Sequence, residues 1–114
     1  MLCLGLMNKT LLTLALFALG CGSNGSGATC PTGSTLTYDT FGHAFLDRYC
    51  TSCHGGGTQP GLSTLALVRT SATLVDEQAA AGASATNTTM PPSAPTPTQA
   101  ERQQLGEWLA CGAR

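Results

Sequence analysis

Charge and aromatic rings are both scarce in this chain. Of its 114 residues 10% are charged and 5% aromatic, and Lys9 is the only lysine. A net charge of −1 with no basic tract, and no interleaving of basic and aromatic residues, argues against a nucleic-acid partner. The apolar run within Thr10 to Gly20 is about ten residues, too short to span a bilayer. No alternation of strand and helix patterns suggests a βαβ unit. The length allows at most one domain. A chain this small usually needs disulfides, a metal or a cofactor to complete its core. With 14 glycines and so few rings, a large apolar prosthetic group would suit as core filler.

What the chain does have is cysteine. Six in so short a sequence point to an oxidising compartment. Met7-Asn8-Lys9 followed by the apolar run has the form of a secretory signal. Lys9 so soon after Met7 makes Met7 the expected start, with Met1 to Leu6 and the stray Cys3 as an extension. The run ends Ala18-Leu19-Gly20-Cys21, which resembles a bacterial lipobox, although leucine is more usual where Ala18 stands. That resemblance implies a leader over 1–20 and a lipid on Cys21, with ordinary export and cleavage between Gly20 and Thr29 as the alternative. Gly22 after Cys21 is not an acidic retention signal, which favours outward sorting. Residues 21–29, rich in Gly and Ser, read as a flexible tether. The folded part is expected from Cys30 to Arg114, where four arginines stand against six acids.

The chemistry is concentrated in Cys50-Thr51-Ser52-Cys53-His54. C-x-x-C-H reads as a c-type haem attachment string. Two thiols three residues apart lie on one side of a tight helical turn, each able to form a thioether to one haem vinyl group. The next residue then offers an imidazole to the iron. Half a zinc site is an alternative, but no second Cys or His pair stands at zinc-finger spacing. A dithiol redox motif is another, without the surrounding βαβ pattern.

Around this string, Gly42, Phe45, Leu46 and Tyr49 recur at i, i+3, i+4, i+7. They predict a helix from Asp39 or Thr40 to Cys50, with either residue as N-cap. His43 falls about 100° from that stripe and reads as a surface residue rather than an iron ligand. Gly55 to Gly61 is a loop. Its glycines would let the backbone pass close to a haem, and one of its carbonyls is expected to accept the other ring N–H of His54. Leu62 to Ala85 predicts one or two short helices, with Leu62, Leu65, Leu67, Val68, Leu74 and Val75 as core. Met90 precedes Pro91 and Pro92, and proline restricts both itself and the residue before it. A thioether held in this way suits an axial iron ligand; the alternative is a gap-filling methionine in a loop. Thr98-Gln99-Ala100-Glu101 has the form of a capping box, opening a helix to about Cys111 with Leu105, Trp108 and Leu109 on its apolar face and Gly112 as its stop.

From Asp39 to Gly112 these residues together resemble the small monohaem cytochromes c of the class I type. In that family a glycine eight residues before the first haem cysteine, and an apolar residue four before it, pack on the C-terminal helix. Gly42 and Leu46 hold those places. An apolar residue and an aromatic three apart on the partner helix match Leu105 and Trp108, and a late methionine followed by proline matches Met90-Pro91. The resemblance implies an all-α fold of three to five short helices around one covalently bound haem c. Cys50 and Cys53 would be the attachment points, and His54 and Met90 the axial ligands. It implies a monomeric single-electron carrier, not an enzyme, at a bacterial cell envelope; a haem sensor or peroxidase-like protein with an open distal site is the rival. It also brings the chain ends together, so Cys30 and Cys111, the two cysteines left without a role, are expected to form a disulfide. The family's ring of docking lysines is missing, so its redox partners do not carry over, and Val75 to Met90 holds no aromatic to shield an iron.

Overall fold

The computed structural model describes residues 25–114. The leader, the Cys21 lipid site and the first part of the expected tether lie outside the described residues. Among those described there are five short α-helices and no strand, only an isolated antiparallel bridge between Ala81 and Thr86. No helix among them is long and apolar enough to cross a membrane.

The first helical segment begins earlier than expected. A π-helix, Tyr38–Gly42, runs directly into α1, His43–Tyr49. The N-cap is Thr37, not Asp39 or Thr40. The Thr40 N–H donates to Thr37 Oγ1 at 3.1 Å, and the Thr37 N–H donates to Thr40 Oγ1 at 2.9 Å. This reciprocal pair is a capping box with threonine where glutamate or glutamine usually stands, so the pattern was easy to miss. The predicted stripe is found: Gly42, Phe45, Leu46 and Tyr49 are all buried. Cys50 leaves helical geometry at φ −123°, and α2, Thr51–His54, forms the next turn.

Two short helices follow, α3 (Leu65–Thr70) and α4 (Ala72–Ala79). Leu62, Val68 and Val75 from this region are core, as expected. Leu67 and Leu74 are not: they are 41% and 43% exposed. Leu74 owes its exposure to the open cleft that it lines. The last helix, α5, is Gln99–Ala110, opened by the predicted Thr98–Glu101 capping box and closed before Gly112, whose φ is +86°. That left-handed conformation favours glycine.

The aromatics among the described residues are gathered where the π-helix and α1 meet α5. Phe41 and Phe45 have ring centroids 5.3 Å apart, Phe45 and Tyr49 5.0 Å, and Phe41 and Trp108 6.1 Å. Trp108 and Leu105 are fully buried beside Leu46. An indole sealed in this way contributes about 3 kcal/mol. Concentrating its rings at one contact gives a ring-poor chain a core.

Both ends of the described chain are tied down. Cys30 and Cys111 form a disulfide with a Cα–Cα distance of 4.8 Å, across 81 positions. The backbone oxygen of Arg114 accepts from the Tyr38 N–H at 2.6 Å and from Trp108 Nε1 at 3.1 Å. At the other end, the last residues of the expected tether are packed rather than free. Ser26 is fully buried, its N–H and hydroxyl donating to the two Asp76 carboxylate oxygens at 2.8 and 2.6 Å. Its carbonyl accepts from the Ser84 N–H at 2.8 Å. The approach is possible because Gly82 and Gly106 lack side chains: a Cβ on Gly106 would stand 2.8 Å from Ala28 Cβ. Composition made this stretch look like a linker because small residues suit close packing as well as flexibility.

Candidate functional site

Between α1–α2 on one side and the segment around Met90 on the other lies a cleft of about 280 Å³. Its lining brings together all the residues singled out from the sequence: Cys50, Cys53, His54 and Met90. His43 is elsewhere, exposed and 3.3 Å from Asp47.

The first wall is built by the turn that follows α1. The His54 N–H donates to the Cys50 carbonyl at 2.9 Å, and the Cys53 N–H to the same oxygen at 3.3 Å, so both thiols and the imidazole belong to one tight turn. Cys50 is partly buried and Cys53 exposed, and both are free thiols. The expected carbonyl partner of His54 is that of Pro60, 2.8 Å from Nδ1, with the Thr58 carbonyl at 3.1 Å. A carbonyl only accepts, so Nδ1 carries the proton, and in the neutral ring Nε2 keeps its lone pair. The His54 carbonyl in turn accepts from the Leu62 N–H at 2.8 Å, closing the loop. Gly56 and Gly57 face open space; Gln59 and Pro60 are the residues this loop contributes to the cleft.

The second wall carries Met90, 36% exposed. Its N–H donates to the Gln78 carbonyl at 2.9 Å and its carbonyl accepts from Arg102 Nη1 at 2.8 Å. The Met90–Pro91 peptide is cis. Neither Gln78 nor Arg102 was legible as part of the site. Their roles are played by a backbone carbonyl and by a buried side chain on α5, which no local motif marks.

The floor and sides are apolar, with Phe45, Leu62, Val75, Ala79, Pro91 and Pro95 among the lining residues. Tyr49, also in the lining, donates its hydroxyl to both Glu101 carboxylate oxygens at 3.0 and 2.9 Å. This ties the end of α1, directly before the cysteine turn, to α5. Burial first, and then the Glu101 carboxylate, raise the Tyr49 pKa. For Glu101, burial works against ionisation, but hydrogen bonds from Thr98 and Tyr49 outweigh it and hold the carboxyl below its usual value.

The alternatives fare differently against this geometry. A structural zinc site needs four donors, and among the described residues no group of three or more His, Cys, Asp or Glu side chains is placed to hold a metal ion. A dithiol redox centre needs a thiol depressed toward neutrality, whereas burial pushes Cys50 up to about 11. A c-type haem asks for less from the protein: two thiols, an imidazole with a free lone pair, a soft donor on the opposite wall and an apolar surround. The residues lining this cleft fit those requirements. Comparison of the chain with family models, with curated proteins and with solved structures gives no match.

Proposed function

We propose that the chain is a single-electron carrier with one covalently attached c-type haem. The observation that supports this most directly is that Met90, 36 positions beyond His54, lines the same cleft as the C-x-x-C-H string. Nothing in local sequence requires that coincidence.

In this reading Cys50 and Cys53 would hold the haem covalently, each through one thioether. His54 presents Nε2, with Nδ1–H held by the Pro60 carbonyl; that bond fixes the ring's tautomer and orientation. Met90, lining the same cleft, would offer its thioether. The haem, when bound, supplies a one-electron ferric–ferrous couple, and a thioether partner to histidine raises its potential. Phe45, Leu62 and Val75, which line the cleft, would keep water from the group. With both His54 and Met90 as iron ligands the haem would serve electron transfer, and on this reading the chain is a carrier rather than an enzyme. The lipobox-like Cys21 would tether a monomeric domain to a bacterial membrane at the cell envelope.

The test is intact mass after expression with haem-maturation machinery and an export route. The processed chain should be heavier by one haem, and the haem should survive denaturing electrophoresis. A mass equal to the bare chain in that host would sink the reading.

A further inference from the structure

We propose that Arg102 is the positioning residue for the Met90 thioether, holding the ligand's backbone against the cleft from the buried face of α5. The inference rests on the reading of Met90 as an iron ligand and assigns what keeps it in place.

Arg102 is 4% exposed. A buried guanidinium is costly unless its donors are matched, and a leucine at this helix position would fill space without that cost. The matching here is specific. Nη1 donates to the carbonyls of Ala79 at 2.9 Å, Asn87 at 2.9 Å and Met90 at 2.8 Å. With two protons for three acceptors, one N–H is shared. Charge-assisted bonds of this kind are stronger than neutral ones. Ala79 is the last residue of α4, where carbonyls lack helical partners. Asn87 and Met90 lie in the non-helical stretch beyond it. The Arg102 carbonyl also accepts from the Ala81 N–H at 2.9 Å. One residue of α5 therefore secures the chain from the end of α4 to the methionine.

The consequence for Met90 is that its peptide groups are held on both sides, the N–H by Gln78 and the carbonyl by Arg102. Groups that orient a metal ligand without touching the metal commonly change metal affinity by about 10–100-fold when removed.

The experiment compares the exported, haem-loaded wild type with Arg102→Met, similar in length but without donors, and Arg102→Gln, a milder neutral replacement too short to span all three carbonyls. Met90→Ala marks full loss of the ligand, and Gly42→Ala controls for general loosening of the core. The readouts are the sulfur-to-iron absorption band, carbon monoxide affinity of the reduced protein, and amide exchange over 86–92 relative to α1 and α5. The expected result is a weakened band, carbon monoxide affinity raised by about 10–100-fold towards that of Met90→Ala, and exchange accelerated first in 86–92. Should Arg102→Met fail to fold, Arg102→Gln is decided on the same readouts. A folded Arg102 variant that keeps the wild-type band and carbon monoxide affinity overturns the proposal, even if exchange rises everywhere, since that is a purely structural role. Absence of the band in wild type, or its persistence in Met90→Ala, overturns the ligand reading itself and the proposal with it.

Discussion

Gly42 lies directly against the Trp108 indole: a methyl group on Gly42 would stand 2.4 Å from Cζ2 of the ring and 2.6 Å from Cη2. This contact lies between the end of the π-helix that leads into α1 and α5, and it limits how closely that segment and the helix bearing Arg102 can approach. Alanine would gain about 1 kcal/mol of helix propensity over glycine. Overpacking against a fully buried ring costs roughly 1–3 kcal/mol, and a rigid indole cannot swing aside as the tip of a lysine would. Gly42→Ala should therefore lower the urea midpoint, while Gly56→Ala, where nothing lies within 4 Å, should leave it nearly unchanged.

The Cys30–Cys111 bridge closes a loop of 81 positions. On chain entropy alone such a cross-link contributes up to about 4.5 kcal/mol. The double variant Cys30→Ser/Cys111→Ser should lose a large part of that in equilibrium unfolding. An unchanged midpoint would mean that the bonds of Arg114 to Tyr38 and Trp108 already hold the ends.

The Glu101 carboxylate accepts from the Thr98 N–H at 3.1 Å as well as from Tyr49, and its pKa in the folded protein lies below its usual value. A depressed folded-state pKa gives stability that is present above the unfolded value and lost as pH falls through the folded one. Wild type should thus exceed Glu101→Gln in stability at about pH 6, the gap closing on acidification below the ordinary glutamate range. A gap independent of pH would indicate that the capping and tyrosine bonds do not require the charge.

Met90→Ala should open a coordination site and lower the potential, since a soft thioether favours ferrous iron. Reduced Met90→Ala should bind carbon monoxide readily while wild type resists it. His43→Ala, altering an exposed side chain beside Asp47, should change neither spectrum nor potential. If His43→Ala alone alters both, the ligand is histidine. If neither substitution matters, the distal position is open and the protein is a sensor or peroxidase-like.

Much of this molecule is local and therefore readable. C-x-x-C-H needs only one helical turn to place its thiols and imidazole. The Thr98–Glu101 box needs only four residues, and the stripe from Gly42 to Tyr49 needs only the helical period. Where local rules were followed with an unusual residue, as in the Thr37–Thr40 cap, the chemistry was the same but the pattern was less recognisable. The disulfide partners, by contrast, were expected through a family resemblance, because 81 intervening positions carry no spacing rule.

The sequence by itself determined the chemistry-bearing groups and the helices that carry them, because covalent spacing and backbone hydrogen bonding act over a few residues. Tertiary structure alone decided which carbonyl orients His54, that Met90 shares its cleft, and that Ser26 and Asp76 lock the expected tether into the fold. It also decided that Leu67 stays in water, that Leu74 lines the cleft, and that Arg102 directs its donors to Ala79, Asn87 and Met90. Each of these depends on which backbone groups remain unpaired once the helices have ended, and on which surfaces the other helices cover. Those quantities come into existence only when distant segments pack.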